Sequence, residues 1–496
     1  MSIFAKTQRL MYSFLISLIA LVLGYIIYGK FVERVFGPKP SKATPAIVKA
    51  DGVDFIKMPS WKVFMIQFLN IAGTGPIFGA IMGAKFGPSA YLWIVFGCIF
   101  AGAVHDYMVG MLSVRNEGAG LPELVGKYLG EGTKKVMLVF SVILLLLVGT
   151  VFVYSPALIL GDIAGDGTSK SIMIWVFVVF VYYIIATLLP IDKIIGKIYP
   201  VFAFALIFMA VALMVCLFIK WPTIPEIWDG LGQRGLTEGQ PIFPCLFITI
   251  ACGAISGFHG TQSPLMARCM GNEKEGRAIF YGSMITEGIV ALVWAAVSSY
   301  FFFDGGAAEV GSSMSAAAPT VVTAVSENWL GIFGGILAIL GVVAAPITSG
   351  DTAFRSTRLI IADFLKKEQK SIKSRLLIAI PLFLVATLLL WFNVSNEDGF
   401  NVIWRYFGWA NQTLAVFALW MATVYLVREK GGLYYLITFI PAVFMTAVVT
   451  TFICISKIGF NMPNTWNIPI AVVVVAISIV LFYIWKAKKA ATSSEN

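Results

Sequence analysis

The chain has 496 residues, of which 59% are hydrophobic and only 12% charged, and its mean hydropathy is +0.87. That balance excludes an ordinary soluble domain and points to a polytopic membrane protein whose spans the bilayer unites into one unit. The net charge of +10 is spread over short connections instead of one basic footprint, so no nucleic-acid partner is expected.

Apolar stretches of spanning length fall at 10–28, 61–84, 90–113, 135–158, 171–189, 198–219, 242–268, 278–302, 329–350, 375–392, 402–427, 433–455 and 466–485. They predict an all-α polytopic membrane protein of about 13 transmembrane helices. The first stretch has no small-residue cleavage site before Lys30 and is read as a retained span, not a signal peptide. Basic residues orient the set. With the N-terminus outside and the C-terminus inside, only Lys6, Arg9, Lys85, Lys170, Lys220, Arg234, Arg405 and Lys457 of the 36 face outward, the expected positive-inside bias. Lys193 and Lys370 are among those assigned to inner loops, and the inner loop "KKEQKSIKSR" reads as a solvated basic connector attracted to anionic lipid. The six cysteines lie in or beside apolar runs without metal-ligand spacing. Neither histidine, His105 or His259, has partner cysteines, so no transition-metal site is expected.

Two spans are interrupted in the same way. The second reads "FLNIAGTGPIFGA" and the seventh runs through "GAISGFHGTQSPL", residues 253–265. Lipid cannot satisfy the backbone groups that such breaks release, so these segments must face protein or a water-filled cavity. Their starts are five spans apart, which reverses direction across the membrane and marks an inverted repeat with a central binding site. A broken helix offers N–H groups at one half for an anion and carbonyls at the other for a cation. The expected substrate pocket is therefore Ala72, Gly73, Thr74 and Gly75 facing Ser256, Gly257, Phe258 and His259. His259 can bond a carboxylate, relay a proton, or simply pack as a neutral imidazole.

Ionisable groups inside spans are functional candidates because burying charge is expensive. Glu287 lies near the centre of the eighth span, suited either to proton uptake or to a hydrogen bond between helices. Asp106, beside His105 in the third span, is a further candidate for proton coupling or gating. Asp351 precedes Arg355 by one helical turn, a spacing for a staple or for an inner gate that breaks and reforms. Asn411 and Gln412 in the eleventh span are expected to face the bundle, bonding substrate or another helix. Trp409 has a weaker claim to line the pocket. No Gly-rich phosphate loop, nucleophile elbow or metal-spaced histidine cluster supports an enzyme.

The segments "DGVDF", "AGTGPIFG", "AGAVHDYMVG", "FPCLFITIACGAISGFH", "PITSGDTAFRSTRLIIADFL" and "WANQTLA" resemble the carbon starvation protein A (CstA) family. The resemblance implies a LeuT-like 5+5 inverted-repeat core of the amino acid–polyamine–organocation type. It divides the chain into an extra N-terminal span and basic loop (1–50), two repeats (51–220 and 221–428) and two accessory spans (429–496). It further implies a bacterial cytoplasmic-membrane importer of pyruvate, peptides or amino acids, used under carbon starvation. By the same resemblance, Thr348, Ser349 and Thr352 with carbonyls of Ile71 and Thr74 are a possible sodium site; oxygen ligands suit a hard cation. The coupling ion, H⁺ or Na⁺, is the only cofactor expected. The alternative is a membrane-embedded sensor that binds solute without moving it.

Overall fold

A computed structural model describes residues 11–494 apart from 164, 166, 190–194, 233–235, 238, 370 and 397–398. Of the basic residues used for orientation, Lys6, Arg9, Lys193, Arg234 and Lys370 lie outside the described residues. All regular structure in the described residues is helical.

The first span, α1 (Tyr12–Phe36), begins with free backbone N–H groups that a distant carboxylate satisfies. Glu226, buried in the loop after the sixth span, accepts from the N–H groups of Tyr12 (2.9 Å) and Ser13 (2.8 Å), while the Ser13 hydroxyl accepts from Ile227 N–H (3.0 Å). An anion at a helix N-terminus is favourable on both hydrogen-bond and dipole grounds. Glu226→Ala is expected to lower thermal stability by about 1–2 kcal/mol, on the scale of a lost N-cap. Glu226→Gln should lose less, which a melting series in detergent would resolve.

The second predicted span is two helices, α2 (Ser60–Ile71) and α3 (Gly75–Ala84), bent by 47°. Then follow α4 (Ser89–Arg115), a short amphipathic α5 (Leu121–Leu129), α6 (Glu131–Ile163), α7 (Ser169–Leu188) and α8 (Ile195–Lys220). The second half opens with another divided span, α9 (Ile242–Thr249) and α10 (Gly257–Ala267). It continues through α11 (Glu273–Phe303), α12 (Ala318–Phe364), α13 (Ile372–Ser395), α14 (Gly399–Glu429), α15 (Leu436–Ile455) and α16 (Asn467–Ser494). Among the described residues ten helices are long and apolar enough to cross a membrane, and the bent α2–α3 pair makes eleven. The other two predicted spans correspond to α9 with α10, and to α12.

α12 departs from its predicted limits of 329–350. Gly331, at φ 64 and ψ −173, turns the chain, and the helix then runs on to Phe364. Asp351, Arg355 and Arg358 ended the apolar window in the sequence, but all three are buried against protein partners, so their charges do not force an exit. α12 packs chiefly on α6 and α8, α3 on α11, and α10 on α4. These contacts bring both divided spans to the middle of the bundle. α16 lies outermost, with only 6% of its apolar window buried.

Candidate transport site

The first break occupies Ala72–Thr74, with Pro76 in the first turn of α3, where a missing N–H goes unnoticed. The second covers residues 250–256, ending on extended Ser256. Asn411 reaches in from α14. Its Oδ1 accepts from the Ser256 hydroxyl (3.0 Å) and from Phe258 N–H (2.7 Å), which caps α10. This cap restarts the helix earlier than the sequence implied. His259, Thr261, Gln262, Ser263 and Pro264 are helical, whereas the sequence implies an interruption running through residues 253–265.

The two breaks touch. A Cβ on Gly75 would collide with the Cys252 side chain, one on Gly79 would lie 2.8 Å from the Thr249 carbonyl oxygen, and one on Gly253 3.7 Å from Pro76 Cα. The divided spans therefore open at the same depth and against each other. Gly79→Ala must push the released Thr249 carbonyl aside and is expected to destabilise the protein by about 1–3 kcal/mol, as overpacking does. Melting of the variant beside wild type measures this.

Phe152 of α6 covers the first break, against Gly73, and packs edge-on to Phe258 (6.0 Å between centroids) and Phe407 (6.1 Å). Trp404 adds to this cover beside Phe407 and Phe78. Thr74, Gln67, Asn70 and Gln262 stay buried nearby with side-chain atoms that find no protein partner. Buried polar atoms are ordinarily bonded, so a cluster of open ones around two breaks marks a place for a polar guest. Nothing in the sequence distinguished Phe152 or Phe407 from ordinary apolar residues of a span.

A chain of ionisable groups lies beside the second break. His105 Nδ1 is 2.7 Å from Asp106 Oδ1, His259 Nδ1 is 3.0 Å from Asp106 Oδ2, and His259 Nε2 is 3.5 Å from Glu287 Oε2. None of the four side chains is exposed, and neither Glu287 oxygen has a hydrogen-bond partner. With Asp106 as carboxylate, both imidazoles donate to it through Nδ1, which leaves His259 Nε2 facing Glu287. Between that nitrogen and that carboxyl one proton can be held. Asp106, His259 and Glu287 were separate candidates in the sequence; α4, α10 and α11 bring them together.

A second charged cluster ties the start of α2 to α12. Asp54, just before α2, lies 3.4 Å from Arg355 Nη1 and 3.6 Å from Arg358 Nη2. Burial alone would lift the Asp54 carboxyl, but Arg358 and Arg355 reverse this and hold it below the usual carboxylate range. Arg355 also donates to the carbonyls of Ala186 (2.7 Å) and Leu189 (2.9 Å) at the end of α7. The expected Asp351–Arg355 pair is not formed. Asp351 instead bonds the Tyr199 hydroxyl of α8 (2.6 Å), because α12 turns the two residues toward different neighbours.

The remaining candidates separate. Gln412 donates to the Phe247 carbonyl (3.0 Å), and Trp409 to that of Val449 (3.1 Å), so Trp409 ties α14 to α15 away from the breaks. Ser349 faces the first break and donates to the carbonyls of Leu69 (3.2 Å) and Asn70 (2.9 Å), while Thr348 and Thr352 donate to carbonyls of their own helix. Ile71 ends α2 and is buried there.

Two broken spans abutting inside a helical membrane bundle define a transporter of the broken-helix class. The same fold occurs in the crystal structure of an Eremococcus coleocola manganese transporter, with a TM-score of 0.56 over 88% of this chain and 98% of that one. It occurs also in a Na⁺-coupled sialic acid symporter, with a TM-score of 0.50 over 93% and 96%. Identities of 11% and 14% make these likenesses of fold alone. The chain belongs to the carbon starvation protein CstA family, whose family model matches residues 10–165, 162–329 and 303–452. An uncharacterized membrane protein of Haemophilus influenzae is 47% identical over 57% of this chain and 89% of its own length. The peptide transporter CstA of Campylobacter jejuni is 28% identical, covering 88% and 78%, and the pyruvate/proton symporter BtsT of Escherichia coli 25%, covering 86% and 79%. The protein is thus a multi-pass membrane transporter and not an enzyme.

Proposed function

We propose that the protein is a proton-coupled importer of small carboxylate-bearing nutrients, pyruvate or short peptides, in the cytoplasmic membrane of a bacterium under carbon starvation. The buried His105–Asp106–His259–Glu287 chain is the observation that carries this reading. It lies one turn from the break where solute would sit, so that a proton shared along it and the solute would bias the same helix, α10. The relatives named as a peptide transporter and a pyruvate/proton symporter support the solute class. The halves 51–220 and 221–428, each opening on a broken span, serve as inverted repeats that rock about the breaks, with the N-terminus outside.

Protons are favoured over sodium by hydrogen bonding. Ser349 donates to the carbonyls of Leu69 and Asn70, and Thr348 and Thr352 donate to carbonyls of their own helix, so the three hydroxyls are engaged away from the Ile71 and Thr74 carbonyls with which they would have to frame a sodium ion. Uptake of labelled pyruvate and dialanine into proteoliposomes, driven in turn by a pH and a sodium gradient, tests the reading. A pH gradient should raise accumulation, and sodium should not. Indifference to both gradients would reject coupling, and saturable binding without uptake would replace the importer by a sensor.

A further inference from the structure

A groove of about 570 Å³ lies far from the breaks, between α5, the α15-facing flank of α14 and the C-terminal half of α16. Its apolar wall is made by Trp420, Val424, Leu481, Phe482 and Trp485, and its rim carries Lys127 and Arg428. α14 and α16 are membrane spans, so the apolar wall lies at the level of acyl chains. Lys127 and Arg428 sit at the end of the bundle where basic residues concentrate, the level of phosphate headgroups. Lys127 donates to Asn116, and both it and Arg428 are exposed; no carboxylate in the described residues pairs with either cation. Two cations with no carboxylate at ion-pair distance among the described residues, standing over an apolar slot, complement one molecule that is anionic at one end and hydrocarbon at the other.

We infer that this groove binds one acidic phospholipid. Its phosphate lies between Lys127 and Arg428, and an acyl chain runs along Trp420, Val424 and Phe482. The lipid would bridge α5 to α16. This inference is independent of the proposed substrate and coupling ion.

Native mass spectrometry of the full chain in mild detergent, titrated with phosphatidylglycerol and with phosphatidylcholine of equal chain length, tests it. Wild type should retain phosphatidylglycerol in preference to phosphatidylcholine. Lys127→Gln and Arg428→Gln should each weaken retention about fivefold, and Arg405→Gln, at the other end of α14, should leave it unchanged. Equal retention of the two lipids by wild type would overturn the proposal without recourse to any variant. Unaltered retention in both variants would overturn it too, as would a stable dimer that excludes lipid from this face.

Discussion

Glu287→Gln is expected to cut accumulation driven by a pH gradient sharply while solute exchange at equal pH continues. The substitution keeps the volume and polarity of a side chain that is wholly buried in α11, so the packing around it persists. It removes the proton that His259 Nε2 and Glu287 can share at 3.5 Å. A coupling free energy of about 1–3 kcal/mol corresponds to a loss of about 5- to 150-fold in gradient-driven uptake. Exchange should survive because Ser256, Asn411 and the first break are untouched. Gradient-driven uptake at the wild-type level would remove Glu287 from the coupling scheme, and loss of exchange as well would make the residue structural.

The second large effect is expected at the Asp54 cluster. Asp54→Ala strips Arg355 and Arg358 of their only carboxylate within ion-pair distance in the described residues, and both guanidiniums are buried. Removing one partner of a buried pair costs about 3–5 kcal/mol, because the remaining charge stays desolvated. The junction of α2 with α12 should therefore open more readily, with faster labelling of cysteines introduced behind it and a lower melting temperature. Acid should mimic the substitution. The folded carboxyl lies below its unfolded value of about 3.9, so its contribution is complete above that pH and disappears as the pH falls through the folded value. The acid-induced loss should be absent in Asp54→Ala, and its persistence there would assign it to another group.

The broken spans were legible because Gly73, Gly75 and Pro76, and Gly253 and Gly257, leave a local mark that survives without knowledge of neighbours. Their extent was not. The second break ends at Ser256 only because Asn411, 155 positions away, supplies the acceptor that restarts α10. In the same way Asp106, His259 and Glu287 each stood out as polar groups in apolar runs, yet their convergence depends on the packing of three helices. Asp54 lay in a loop and drew attention only as part of "DGVDF"; its role comes from two arginines about three hundred residues later. The predicted Asp351–Arg355 staple failed for a related reason. Helical spacing places two side chains on one face but does not say which of several partners each one meets.

α1 shapes the surroundings of Glu287. Leu21 of this helix lies against Gly288, the neighbour of Glu287 in α11, and Tyr281 of α11 meets Gly29. Hydrocarbon is thereby kept off that flank of the acid-bearing helix, and Cys98 of α4 seals the next one. α1 thus screens one side of α11 from lipid. Under the proposed coupling, a proton bound for Glu287 would therefore travel along the interior, past His259, and not through lipid.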